Sequence, residues 1–212
     1  MKENRYMFRS DLGGFFVEGL ERYRGSLTLE QLILARNKIM KNAKELYEDA
    51  TILYENGRFA RAYFLLGIAN EELGKYLLVT SATVDLVAGN IDWKRFWKAI
   101  RAHKEKAGIV EYTENMLMYT EEDCFSPLEI KETVSIFDEL KMASLYSDMF
   151  ENNFFLPDEI VQKSLAESYQ KLTKSRINLI ESINISDETI RNFKKEAVLE
   201  YRKMIKNAFE KR

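Results

Sequence analysis

The sequence predicts an all-α fold, an antiparallel helical bundle with additional helices at its N- and C-terminal ends. Three observations predict it. Of 212 residues only two are proline and nine glycine, so tight turns are scarce and elements are long. Long segments carry apolar residues three and four apart, the spacing of one helix face. No run alternates apolar and polar residues as a half-buried strand does.

Taken in order, residues 11–22 read as a short leading helix weakened by Gly13, Gly14 and Gly19. Thr28 is an N-cap with Gln31 at the capping-box position. From there the pattern runs to Asn56-Gly57, with Leu32, Ile39, Ala43, Leu46, Ala50 and Leu53 on one stripe. Residues 58–87 form a second long helix, apolar on most sides in its middle and therefore the central, most buried one. Gly89-Asn90 ends it, and Asp92 caps a third segment reaching residue 119, with Gly108 as the expected bend. Ser126-Pro127 with Glu129 opens the next helix, expected to run to about residue 150. After a break at Asn152-Asn153 and Leu156-Pro157, helices are expected over residues 158–183 and from Ser186 to the last residue.

Composition excludes several classes. Acidic residues number 34 and Lys plus Arg 32, a net charge of -2, which gives no general attraction to nucleic acid. The single Cys124 forms neither an intrachain disulfide nor a cysteine-rich zinc site, and it suits a reducing compartment. The N-terminus has no signal-peptide pattern and no apolar run spans a bilayer. The expectation is a soluble, cytoplasmic protein that does not engage membranes.

Three groups of polar residues stand where a structural helix would prefer something else. Glu71, Glu72 and Lys75 follow the apolar AYFLLGIA, with Glu71 and Lys75 spaced to pair on one face. Carboxylates on the central helix need partners, and Asn42 and Asn70 are candidates for that network. His103 is the only histidine, followed by Lys106 and preceded by Lys98 and Arg95. Imidazole suits proton transfer near neutral pH, and neighbouring cations suit a phosphate. Lys141, Tyr146 and Asp148 lie on the expected helix after Pro127, with Lys141 and Asp148 two turns apart on one face. No metal site and no cofactor are expected: there is one histidine, no Glu-x-x-His helix pattern, no phosphate loop and no dinucleotide fingerprint.

The same residues carry a resemblance. NAKELYEDATILYENGRFARAYFLLGIANEELGK (42–75), RAHKEK (101–106) and ELKMASLYSDM (139–149) together resemble the AbiV-type abortive infection proteins, a bacterial anti-phage family of the HEPN superfamily. The resemblance covers residues 28–157. It implies a HEPN-like bundle over residues 1–157, including an N-terminal extension; the mixed charge and moderate apolar content of residues 158–212 make them a C-terminal helical hairpin packed on the bundle, or alternatively a partner surface. It also implies a homodimer and, as in many HEPN members, a metal-independent ribonuclease or toxin. In that family an Arg-x4-6-His motif from each subunit enters one composite cleft. Here the histidine is His103. Arg95 stands seven residues before it, Arg101 one and Lys98 four, counting those between, so the cation at the family spacing is a lysine.

The resemblance thus implies His103, Arg101, Lys98, Glu71 and Glu72 as the catalytic group. Lys75, Lys106, Arg95, Lys141 and Tyr146 are the candidate RNA or phosphate contacts, and Asn42 and Asp148 the candidate supporting network. Two functions follow as expectations. One is a dimeric ribonuclease that stops translation on phage infection. The other is a non-catalytic helical protein activated by a phage protein and binding the translation machinery.

Overall fold

The computed structural model describes residues 5–7, 16–18, 22–120, 123–150 and 152–197. Helix α1 (Leu29–Glu55) starts at the predicted capping box: Gln31 N donates to Thr28 Oγ1 at 3.2 Å, and Thr28 N donates to Gln31 Oε1 at 2.9 Å. Helix α2 (Phe59–Ala88) ends at Gly89, whose φ of 74° is the left-handed conformation that glycine adopts without a Cβ penalty. The two form a long antiparallel hairpin. α2 is the central helix, as expected, because its middle is buried on nearly every side.

Shorter helices pack around it: α3 (Trp93–Arg101), α4 (His103–Met118), α5 (Pro127–Ala143), α6 (Pro157–Ile160), α7 (Lys163–Ser182) and α8 (Asp187–Arg191). Two short antiparallel hairpins complete the described residues, β1 (Arg5–Met7) with β2 (Phe16–Glu18) and β3 (Asp148–Phe150) with β4 (Asn153–Phe155). Among the described residues no helix is long and apolar enough to cross a membrane.

Three apolar clusters stack along α2. Ala60, Tyr63 and Leu66 pack with Ala50, Val161, Ala166 and Tyr169 at one end. Leu73 and Tyr76 meet Ala43, Val110, Ile177 and Ile180 in the middle. Val79 and Ala82 meet Leu32 and Phe96 at the other end. Each buried Leu, Ile or Val stabilises the fold by about 1.5–3 kcal/mol relative to exposure, and α7 belongs to two of the clusters. A polar clamp joins the ends: Arg36, 1% exposed, donates through Nη2 to Tyr76 Oη at 2.9 Å, Asn184 Oδ1 at 2.7 Å and the Ile185 carbonyl at 3.0 Å.

Several boundaries differ from the sequence expectation. Phe16–Glu18 is a strand paired with Arg5–Met7, where a leading helix was expected. The nearby glycines each cost a helix about 1 kcal/mol against alanine, and Phe-Val favours extended backbone. The rest of that segment, residues 11–15 and 19–21, lies outside the described residues.

The third segment breaks at Ala102, with extended φ −83° and ψ 117°, rather than at Gly108, which sits inside α4 facing open space. The break lets Phe96 of α3 and Val110 of α4 reach different clusters on α2. α5 stops at Ala143, several residues short of the expected end, and the chain turns into the β3–β4 hairpin around Asn152. The expected helix over 158–183 is split by a buried Val161 into α6 and α7. The last expected helix is interrupted after Arg191 and resumes at residues 195–197; from residue 198 on it lies outside the described residues.

Candidate functional site

Gly67, Glu71 and Gly74 lie four and three residues apart, on one face of α2. A Cβ on Gly74 would stand 2.0 Å from the carbonyl oxygen of Lys106, so the missing side chain lets the α4 backbone approach α2 directly. A Cβ on Gly67 would stand 2.9 Å from Cγ of Lys141, so the Lys141 stem crosses α2 there. Both lysines then turn their ammonium groups onto the carboxylate between the glycines.

Glu71 is 6% exposed and has three basic partners. Its Oε2 accepts from Lys106 Nζ at 2.8 Å and contacts His103 Nδ1 at 2.6 Å. Its Oε1 accepts from Lys141 Nζ at 2.7 Å, and the same ammonium donates to Asp138 Oδ1 at 2.6 Å. Burial pushes the Glu71 carboxyl up, but the hydrogen bonds and charges of Lys106 and Lys141 outweigh it and hold it down at about 2. Burial pulls Lys141 down, and the carboxylates of Asp138 and Glu71 outweigh that, so its ammonium stays above the ordinary lysine range.

An ionised Glu71 only accepts hydrogen bonds, so the proton of a neutral His103 sits on Nδ1. The His103 side chain is 63% exposed against 8% for Glu71. Its Nε2 is then left with a free lone pair. A carboxylate that fixes the tautomer of an exposed imidazole is the arrangement of a general base.

A second buried network adjoins the first. Arg176 of α7, 3% exposed, donates to Glu114 through Nε at 2.9 Å, to Glu111 through Nη2 at 2.5 Å and to Asn70 through Nη1 at 3.1 Å. Asn70 in turn donates to Thr173 at 2.8 Å. Burial raises the Glu111 carboxyl, Arg176 offsets only part of that, and Glu114 adds repulsion. Glu71, His103, Lys104, Asp138, Lys141 and Arg176 line one small recess between α2, α4, α5 and α7.

The structure therefore brings together Glu71, His103, Lys106 and Lys141, with Asn70 one step away. Other candidates lie elsewhere. Lys75 pairs with Glu72, three residues before it, and not with Glu71 as its spacing suggested. Tyr146 is 56% exposed beyond the end of α5, and Asp148 is an exposed strand residue. Because α5 stops at Ala143, Lys141 and Asp148 do not share a helix face.

Asn42 is exposed on α1, and Lys98 and Arg95 are exposed on α3. The guanidinium of Arg101 lies over the Trp97 ring at 5.9 Å. The sequence reading missed Asp138, Lys104, Glu111, Glu114 and Arg176. Asp138 was legible, standing three residues before Lys141, as were Glu111 and Glu114 on one face of α4. Arg176 has no local signal beyond standing among Thr173, Ile177 and Ile180 on the apolar stripe of α7.

Among the described residues no group of three or more His, Cys, Asp or Glu side chains converges to hold a metal ion. The HEPN_AbiV family model, described as AbiV, matches residues 31–178. No curated protein and no solved structure matches the chain.

Proposed function

The chain belongs to the AbiV family of HEPN proteins, and from that premise we propose that it is a cytoplasmic abortive-infection protein that halts translation on phage infection by cutting RNA without a metal ion. The observation that carries this reading is the contact between His103 and Glu71. Nε2 of His103 takes the proton of an RNA 2'-hydroxyl. That oxygen attacks the adjacent phosphorus, and the 5'-oxygen leaves and takes up a proton. The products are a 2',3'-cyclic phosphate and a free 5'-hydroxyl. A homodimer supplies the acid through the equivalent histidine of a second copy.

Lys106 is buried against Glu71, and Lys141 is buried against Glu71 and Asp138, so holding the phosphate falls to exposed or half-exposed cations, Lys104 beside His103 and Lys98 and Arg101 on α3. Incubation of the purified protein with cellular RNA in EDTA tests this. Cleavage leaving cyclic phosphate ends and lost in His103→Ala supports it; intact RNA under conditions where the protein is toxic overturns it.

One observation favours a second reading. Lys106 and Lys141 have side chains only 5% and 8% exposed and pin α4 and α5 to α2 through Glu71. That is also what a purely structural polar pin would do in an interaction protein activated by a phage protein. Toxicity preserved in a folded His103→Ala variant selects this reading.

A further inference from the structure

A groove bounded by α2, α3, α4 and α5 encloses about 1270 Å³. That exceeds the ~300–1,000 Å³ of small-molecule pockets. Leu78, Ala82, Ile109 and Tyr112 give it an apolar lining, and Asp85, Asp92, Glu105 and Glu132 outnumber its three Lys and Arg side chains.

The chain returns to the mouth of this groove. Residues 195–197 are helical, and the Lys195 ammonium stands 3.4 Å from where a Cβ on Gly89 would be. There the cation meets the C-terminal end of α2, the negative end of its dipole. The next residues of the chain after Gly89, Asn90 to Asp92, line the groove.

Residues 198–212 continue from that point. Val198, Tyr201, Ile205, Ala208 and Phe209 recur at helical spacing, and the segment carries five Lys or Arg against two Glu. As a helix its fifteen residues would extend about 22 Å, at 1.5 Å each. The groove wall from Leu78 to Asn90 runs about 18 Å on the same rise.

We propose that the groove is the docking site for residues 198–212 of the same chain, seated as an amphipathic helix with its apolar face on Leu78, Ala82, Ile109 and Tyr112. Its basic face meets the rim carboxylates. Lys104 borders both the groove and the His103 recess, so the seated segment lies beside the candidate site.

Hydrogen exchange on the full-length protein tests this without reference to any activity. In the unaltered chain, amides of 198–212 should exchange at least tenfold more slowly than in the free 198–212 peptide. In the full-length double variant Ile205→Asp, Phe209→Asp that protection should vanish, and residues 78–92 should exchange faster, while residues 59–77 stay unchanged. If that variant does not fold, Glu105→Lys with Glu132→Lys reverses the rim charge and should weaken the same protection.

Free-peptide exchange rates for 198–212 in the unaltered chain overturn the proposal. So does groove protection that survives the folded variants. Protection that falls on dilution assigns the groove to a second copy and also overturns it.

Discussion

Nδ1 of His103 stands 2.6 Å from Oε2 of Glu71, the same oxygen that accepts from Lys106 at 2.8 Å. One buried carboxylate on α2 thus fixes an exposed imidazole at the start of α4. The charge that orients the ring is itself held by the amines of Lys106 on the same helix as the ring and Lys141 on α5.

The tautomer is directly measurable because His103 is the only histidine. Imidazole ¹⁵N NMR should show neutral His103 protonated at Nδ1 and bare at Nε2. In Glu71→Gln the signals should move toward a mixture of tautomers. An Nε2–H form in the unaltered protein would remove the basis for the general-base role.

If His103 transfers a proton, His103→Ala should lower RNA cleavage about 10²–10⁴-fold. Lys104→Ala should raise KM more than it lowers kcat, since it meets phosphate and not the reacting proton. Steady-state kinetics on a defined RNA separate the two effects.

Acid should weaken the fold through Glu71. Its carboxyl titrates at about 2 in the folded protein against an ordinary 4.5. The stability it contributes is complete above about 4.5 and is lost as pH falls toward 2. Glu111 is shifted the other way, so protonating it relieves strain instead. Glu71→Gln should cost about 3 kcal/mol at pH 7, because it leaves Lys106 without its carboxylate. The difference in urea midpoint between the two proteins should shrink as pH falls toward 2.

The two glycines of α2 should respond differently to alanine. Gly74→Ala drives a Cβ into the Lys106 carbonyl, and overpacking against backbone should cost about 3 kcal/mol. Gly67→Ala meets Cγ of Lys141, near the root of a side chain held at its tip by Glu71 and Asp138, so overpacking offset by about 1 kcal/mol of helix propensity gained should leave a smaller loss, about 1 kcal/mol. Thermal melts of both variants check this.

Arg176→Met should destabilise by about 3–5 kcal/mol, since it leaves Glu111 and Glu114 buried against each other without a cation. Adding Glu111→Gln and Glu114→Gln should recover most of the loss. A double-mutant analysis by chemical denaturation gives the coupling.

The sequence by itself determined the all-α class, the capping boxes at Thr28 and Ser126 and the central place of α2, and it singled out Glu71, His103 and Lys141 as candidates. These rest on local chemistry: periodicity, caps, and polar groups on an apolar helix. Tertiary structure alone decided the break at Ala102, the end of α5 at Ala143 and the partners of Glu71. Neither boundary carries a proline or glycine, so packing against α2 set the one and the β3–β4 hairpin followed the other. Glu71 had a lysine four residues away and bonded instead to Lys106, His103 and Lys141, because two glycines bring α4 and α5 closer to it than its own helix brings Lys75. Arg176 shows the same limit: a cation deep in a core is meaningful only through the carboxylates that other helices deliver to it.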